Sequence, residues 1–211
     1  MQSLPLLFRN WEEVDHVREK MRATLEARFA ERGFVVLGWG DAGWMRFFST
    51  RRAVRPDDFR GMKFSAWGSE PEQQEIMIEV VPSTPYFALA GQIFNTAQHM
   101  LEINWAPIVG ALVVTKKAWE EMSPAGQQAL RTGGERAGLQ MRTQARREVD
   151  EAVDAMKKRG LTVHRPTPDQ MREWDQLAER LYPRIRGIMV PAATFDEVYT
   201  HPRAFRAGRG R

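Results

Sequence analysis

The chain has 211 residues, 43% of them hydrophobic and 27% charged, so it has the makeup of a soluble globular protein with one sizeable core or two small lobes. It has no cysteine, which excludes disulfides, thiolate metal sites and a cysteine nucleophile. Its net charge of +4 is spread out, and no base-reading motif accompanies it, so the expectation is no nucleic-acid partner.

At the N-terminus, residues 1–8 lack the basic start and apolar run of a secretory signal, so the chain reads as cytosolic or as cut from a longer precursor. Asn10 and Glu13 form a capping-box pattern ahead of Trp11, Val14, Val17, Met21, Leu25 and Phe29, the apolar face of a helix that Gly33 ends. Residues 34–39 read as a buried strand, 45–50 as a second strand, 55–61 as one helical turn and 62–67 as a third strand. Ser69 and Pro71 open a further helix. It gives way near Met77 to an apolar run, residues 76–81, with no turn signal between them. Residues 100–115 form a long extended stretch that Pro107 and Gly110 divide, since proline marks an edge or a bend.

Ser123 caps a helix with Pro124 in its first turn. Leu130, Ala137, Met141, Ala145, Val149, Ala152 and Met156 lie on one stripe up to Gly160. Such a rod is about 54 Å long unless Gly133 and Gly134 break it. Residues 161–164 read as a short strand. Thr167 and Gln170 are a second capping box, before a helix faced by Met171, Trp174, Leu177 and Leu181 that Pro183 terminates. A last short helix covers Ala192 to Tyr199, and a disordered basic tail covers 201–211.

No phosphate loop, metal-protease helix, serine-nucleophile elbow or paired-histidine spacing is present, so the chain reads as a non-enzyme with no catalytic residues, metal or cofactor. His99 reads as a structural histidine at a strand entrance, and Asp41 as a turn residue with a strand-end carboxylate as the alternative. Trp39, Trp44, Trp67 and Trp105 each sit at a strand end or bend, where ligands of open α/β sheets bind, and aromatic walls are usual in small-molecule pockets. Each tryptophan taken singly reads more readily as core than as wall, and the expectation is that at least one of the four touches ligand.

The chain resembles the extracytoplasmic solute receptors of tripartite ATP-independent periplasmic (TRAP) transporters, the dicarboxylate-binding receptor family. The resemblance rests on residues 4–15, on Gly33 to Gly40 running on through Arg51 to Lys63, on Val113 to Trp119 followed by Ser123-Pro124, and on the long helix ending in Lys157 to Val163. It implies an α/β, type II two-lobed periplasmic-binding-protein fold, incomplete, with one long helix spanning both lobes. The implied division is 1–62 remainder of lobe I, 63–105 part of lobe II, 106–142 return to lobe I and start of the long helix, and 143–200 lobe II with the C-terminal helices. Relative to the family the chain looks N-terminally truncated and internally shortened near Met77. The implied function is periplasmic capture of a small, carboxylate-bearing organic solute in an aromatic interlobe cleft, for delivery to the membrane permease subunits.

Many members of the family clamp a substrate carboxylate with an arginine just after the Gly-x-Lys strand. Here Gly61-Met-Lys-Phe-Ser65 puts Ser65 there, and Thr84 takes the family's asparagine position. The resemblance therefore implies a less charged, more aromatic site, with Trp67, Thr84 and Trp105, together with Trp39 or Trp44, lining the cleft. The alternatives are a helical interaction protein built around the long helix, a small enzyme, and a receptor fragment that does not bind.

Overall fold

The computed structural model describes residues 4–65 and 78–209. Trp67, the helix opening at Ser69 and the join near Met77 lie outside them.

The first helix, α1 (Trp11–Glu31), starts where expected: the Asn10 side chain accepts from the Glu13 amide. The Glu13 carboxylate, however, turns back to the Arg9 amide at 2.9 Å. The chain then enters β1 (Phe34–Ser49), a single 16-residue strand where two were expected. Gly40 and Gly43 do not break it. Register shifts at Val36/Gly38, Asp41/Gly43 and Met45/Phe47 absorb the irregularity as bulges, and Gly43 supplies the positive φ of 109°. A 3-10 turn (Pro56–Phe59) follows, and Phe64 makes an isolated bridge with Val80; the expected third strand, 62–67, lies partly outside the described residues.

Strand β2 (Val80–Ser83) pairs antiparallel with the end of β1. Thr84 caps the short α2 (Pro85–Ala90), and a second 3-10 turn spans Ile93–Asn95. Strand β3 (His99–Thr115) is also continuous, and pairs antiparallel with β1 along nearly its whole length. Pro107, opposite Trp44, is tolerated because the other side of β3 is paired only at His99–Leu101. After the one-turn α3 (Lys116–Glu120) comes α4 (Pro124–Lys157), then β4 (Thr162–His164), which returns parallel to β3. The sheet order is β2-β1-β3-β4.

Helix α4 runs unbroken for 34 residues, about 51 Å at about 1.5 Å per residue. Gly134 does not interrupt it but seats it. A Cβ on Gly134 would lie 2.6 Å from Leu37 Cβ, one on Gly138 2.5 Å from Trp39 O, and one on Gly38 2.3 Å from Gly134 O. Helix and strand backbones therefore touch with no side chain between them. Helix α1 covers the other face of β1, where Phe29 meets Trp39 edge-on with ring centroids 6.0 Å apart.

Helix α5 (Pro168–Ile185) carries the expected Thr167–Gln170 capping box but runs on through Pro183. Helix α6 (Ala192–Arg209) extends well past Tyr199, so residues 201–209 are helical and not a loose tail. Contacts on α1 explain this. Phe205 stacks on His16 at 4.6 Å, and Arg206 donates to both Glu13 oxygens at 2.8 and 2.7 Å. Among the described residues, most of the buried apolar side chains fall into two clusters. The larger joins α1, the middle of the β1–β3 ribbon, α5 and α6; the smaller joins Phe48, Ala88, Phe94, Met100, Val153 and Met156.

Candidate functional site

Asp41 sits at the second bulge of β1, is 2% exposed, and is held from two helices. Arg18 Nη2 (α1) donates to Oδ1 at 2.8 Å, and Arg146 (α4) donates to Oδ2 from Nη2 at 2.6 Å and Nε at 3.1 Å. Arg146 also forks onto Asp15, Nη1 to Oδ2 at 2.8 Å and Nη2 to Oδ1 at 2.7 Å, and lies over the Trp11 ring at 4.6 Å. Trp11 in turn packs on Trp44 at 4.7 Å. Burial pushes the Asp15 carboxyl up, but Arg146, Arg18 and Arg142 outweigh it, and the net shift is downward. Arg18 is fully buried and burial pushes it down. Its Nη1 lies 3.0 Å from Asp15 without hydrogen-bond alignment, so Nη1 and Nε lack hydrogen-bond partners. The network fixes α1, β1 and α4 to one another and consumes the Asp41 charge.

Above Asp41 opens a cavity of about 240 Å³. Its walls are Ala42 of β1, Tyr86 and Phe87 of α2, and Met141, Gln144, Ala145 and Glu148 of α4. The Thr84 cap sets the start of α2, and so where Tyr86 and Phe87 stand; these two rings meet edge-on at 5.7 Å and are half exposed. Gln144 Nε2 donates to Glu148 Oε1 at 2.8 Å. An apolar continuation of about 470 Å³ shares Asp41, Ala42, Phe87 and Met141 and runs along Gly38, Gly40 and residues 108–112. No lysine, arginine or histidine is among the described lining residues of either part. Such a groove can seat a flat or ring-shaped organic body on aromatic faces and hydrogen-bond its polar groups to Gln144, Glu148 and Tyr86.

The residues expected to line a cleft are not brought together there. Trp39 faces α1 and donates Nε1–H to Glu26 at 3.1 Å. Trp44 is buried against Trp11, and Trp105 packs on Phe47 at 5.1 Å and Trp174 at 5.6 Å. Thr84 is 1% exposed, and its hydroxyl is the cap of α2. Trp67 is outside the described residues. Ser65 donates its amide to Val80 O at 2.9 Å. Sequence reasoning missed Phe87 and the two arginines, Arg18 and Arg146, that hold Asp41; Tyr86 ends the Pro82–Tyr86 segment, whose aromatic beside turn-forming residues reads in sequence as a cleft wall. One signal for the arginines was legible: Arg18 interrupts the apolar face of α1 between Val17 and Met21.

Comparison with known proteins gives the following. The family model described as bacterial extracellular solute-binding protein, family 7, matches residues 1–81 and 80–187. The 2,3-diketo-L-gulonate-binding periplasmic protein YiaO of Escherichia coli is 25% identical over 191 residues, covering 76% of this chain and 56% of that protein. The chain thus spans little more than half the length of this curated relative. Among solved structures, a TRAP periplasmic solute-binding protein from Ralstonia eutropha with bound (S)-2-acetolactate superposes with a TM-score of 0.86 at 18% identity, over 96% of this chain and 73% of that one. A Bordetella pertussis extracytoplasmic solute receptor binding pyroglutamic acid gives 0.85 at 15%, over 96% and 74%. A Sulfitobacter TRAP protein with bound β-D-galacturonate gives 0.83 at 17%, over 96% and 74%. These structures share the fold, and the four-stranded sheet departs from the alternative of a helical interaction protein built around the long helix. On the family match, which runs through most of its residues, the chain belongs to family 7 of the bacterial extracellular solute-binding proteins.

Proposed function

We propose that this chain is the solute-capturing component of a TRAP-type transporter, which holds a small organic solute without turning it over and presents it to a membrane permease from the periplasmic side. The observation that carries this reading is the groove walled by Tyr86 and Phe87 over an Asp41 whose charge is already neutralised. It offers an apolar seat with a few polar groups and no assembled acid–base pair. The names of relatives specify pyroglutamate, acetolactate, galacturonate and diketogulonate, all compact and oxygen-rich. A guest of that size suits the groove if its body rests on Phe87 and Met141 and its hydroxyl or carbonyl groups meet Gln144 and Tyr86.

In this reading the smaller core cluster, with the second half of α4, belongs to lobe II, and α4 bridges to lobe I. Trp39, Trp44 and Trp105 hold the groove from the core, and Thr84 acts through the cap that aims α2. Titration calorimetry of the folded chain against pyroglutamate, galacturonate and neutral sugars tests the reading. At least one should bind saturably, and Phe87→Ala should weaken it about tenfold, equivalent to about 1.4 kcal/mol. A cooperatively melting chain that binds none of them refutes the reading and favours the non-binding fragment.

A further inference from the structure

The link between α5 and α6 is a tight turn that the main chain closes by itself, with Arg186 and Val190 bridged at its base. The Ile188, Met189 and Val190 amides all donate to Ile185 O, at 3.3, 3.0 and 3.1 Å, and the Gly187 amide donates to Val190 O at 2.7 Å. Gly187 supplies the positive φ of 80° that the turn requires. The base is pinned on both sides. Ile185 is buried with Tyr182 and Phe195 in the larger core cluster, and Arg186 forks onto Asp196 of α6 at 2.7 and 2.6 Å.

At the tip stand Ile188, 80% exposed, and Met189, 66% exposed, the two most exposed large apolar side chains among the described residues. Lone apolar residues on a surface are ordinary, but two in succession at the apex of a stiff turn are not. The backbone hydrogen bonds need nothing from either side chain, and polar residues such as Asn, Asp or Ser are the usual occupants of a turn. The surrounding charge identifies what covers the pair. Residues 180–191 hold Arg180, Arg184 and Arg186 and no carboxylate. Arg186 is matched by Asp196, and the neighbouring Glu179 is taken by Arg203 at 2.8 Å. Arg180 and Arg184 are exposed and make no ion pair among the described residues. They are four residues apart, so they share one face of α5, and Arg184 stands one turn before the tip.

We propose that this tip docks the chain on a bilayer rich in anionic phospholipid, with Ile188 and Met189 entering the boundary between headgroups and acyl chains and Arg180 and Arg184 meeting the lipid phosphates. A small apolar wedge flanked by cations complements a surface that offers negative charge outside and hydrocarbon just beneath. Because the base is pinned, little conformational freedom is lost on insertion. The inference goes beyond solute capture and does not need the groove at Tyr86 and Phe87 to be occupied.

The test is co-sedimentation of the whole chain with vesicles of equal parts phosphatidylglycerol and phosphatidylcholine. It compares wild type, the double variants Ile188→Ser/Met189→Ser and Arg180→Gln/Arg184→Gln, and Leu139→Ser, which removes another exposed apolar side chain, on α4 beside Arg142. Wild type should partition onto these vesicles and not onto pure phosphatidylcholine. Each double variant should lose at least about tenfold in the partition constant, and Leu139→Ser should match wild type. All the substituted residues are exposed, so every variant should melt with wild type. No partition by a cooperatively melting wild type would overturn the proposal. So would partition that survives in Ile188→Ser/Met189→Ser, as general attraction of a chain of net charge +4 would give. A dimer in sedimentation velocity that the same double variant abolishes would overturn it too, by making a second copy the occupant.

Discussion

Replacing Gly134 by alanine pits two large effects against each other at one position. In a free helix the change favours folding by about 1 kcal/mol. Here the new Cβ arrives 2.6 Å from Leu37 Cβ and 2.8 Å from Leu37 O, against the about 3.5–4.0 Å at which carbon atoms pack. The obstacle is partly backbone, so α4 must lift by about 1 Å, and a gap of that size forfeits about a quarter to a half of the dispersion along the seam. Overpacking of this kind costs about 1–3 kcal/mol or more, which outweighs the propensity gain. Gly133 is the internal control, because a Cβ there meets nothing within 4 Å. Thermal melts followed by circular dichroism should show Gly133→Ala at or up to about 4 °C above wild type, and Gly134→Ala below it by up to about 8 °C, from a net loss of up to about 2 kcal/mol at about 2–4 °C per kcal/mol for a chain of this size. Gly138→Ala, 2.5 Å from Trp39 O, should behave like Gly134→Ala. If Gly134→Ala melts with or above Gly133→Ala, helix and strand are not seated backbone on backbone, and the account of α4 fails.

Three further outcomes follow from the charge and hydroxyl contacts. Asp41→Asn removes the counter-charge from a fully buried Arg18 and should cost about 3–5 kcal/mol in urea unfolding. Tyr182→Phe removes the hydroxyl that donates to Pro5 O at 2.7 Å, at a cost of about 0.5–1.5 kcal/mol, with the N-terminal segment becoming more open to proteolysis. Acid should destabilise the fold in two stages. His164 is pushed below its ordinary 6.5 by burial, by His99 at 3.0 Å and by Arg52, so the unfolded chain takes up that proton first and stability declines as pH falls through about 6.5. Glu13 is pushed up by burial but more strongly down by Arg206 and Arg9, and Asp15 is likewise lowered on balance. Their contribution is therefore complete above their ordinary 4.5 and 3.8 and is lost as pH falls below those values. His164→Gln should flatten the first stage and Arg206→Gln the second, in urea midpoints measured from pH 8 to pH 3. A first stage that persists unchanged in His164→Gln would remove the histidine pair from the explanation.

The helix positions were legible because their signals are local. Asn10, Ser123 and Thr167 each cap where expected, and the stripe on α4 was read to within a few residues. The strands were legible in place but not in continuity. Gly40, Gly43 and Pro107 look like interruptions in isolation; a long partner strand turns the glycines into bulges and leaves the proline at an open edge. The tail was misread for the same reason: Arg206 finds its partner, Glu13, 193 residues away. For the site, an indole beside a turn reads in sequence as wall or as core, and only the fold shows that α1 and α5 supply the aromatic neighbours on which Trp44 and Trp105 pack. Nothing local distinguishes Phe87, which α2 leaves half exposed, from Phe47, which the core absorbs.

The bare seam between α4 and β1 also decides where this molecule can flex. Two main chains in direct contact behave as a plank bolted to a beam: neither can roll or slide without collision, so that stretch moves as a single stiff member. Bending must then concentrate where the ribbon's pairing slips beyond that stretch and beyond the ties at Asp41, at Met45/Phe47.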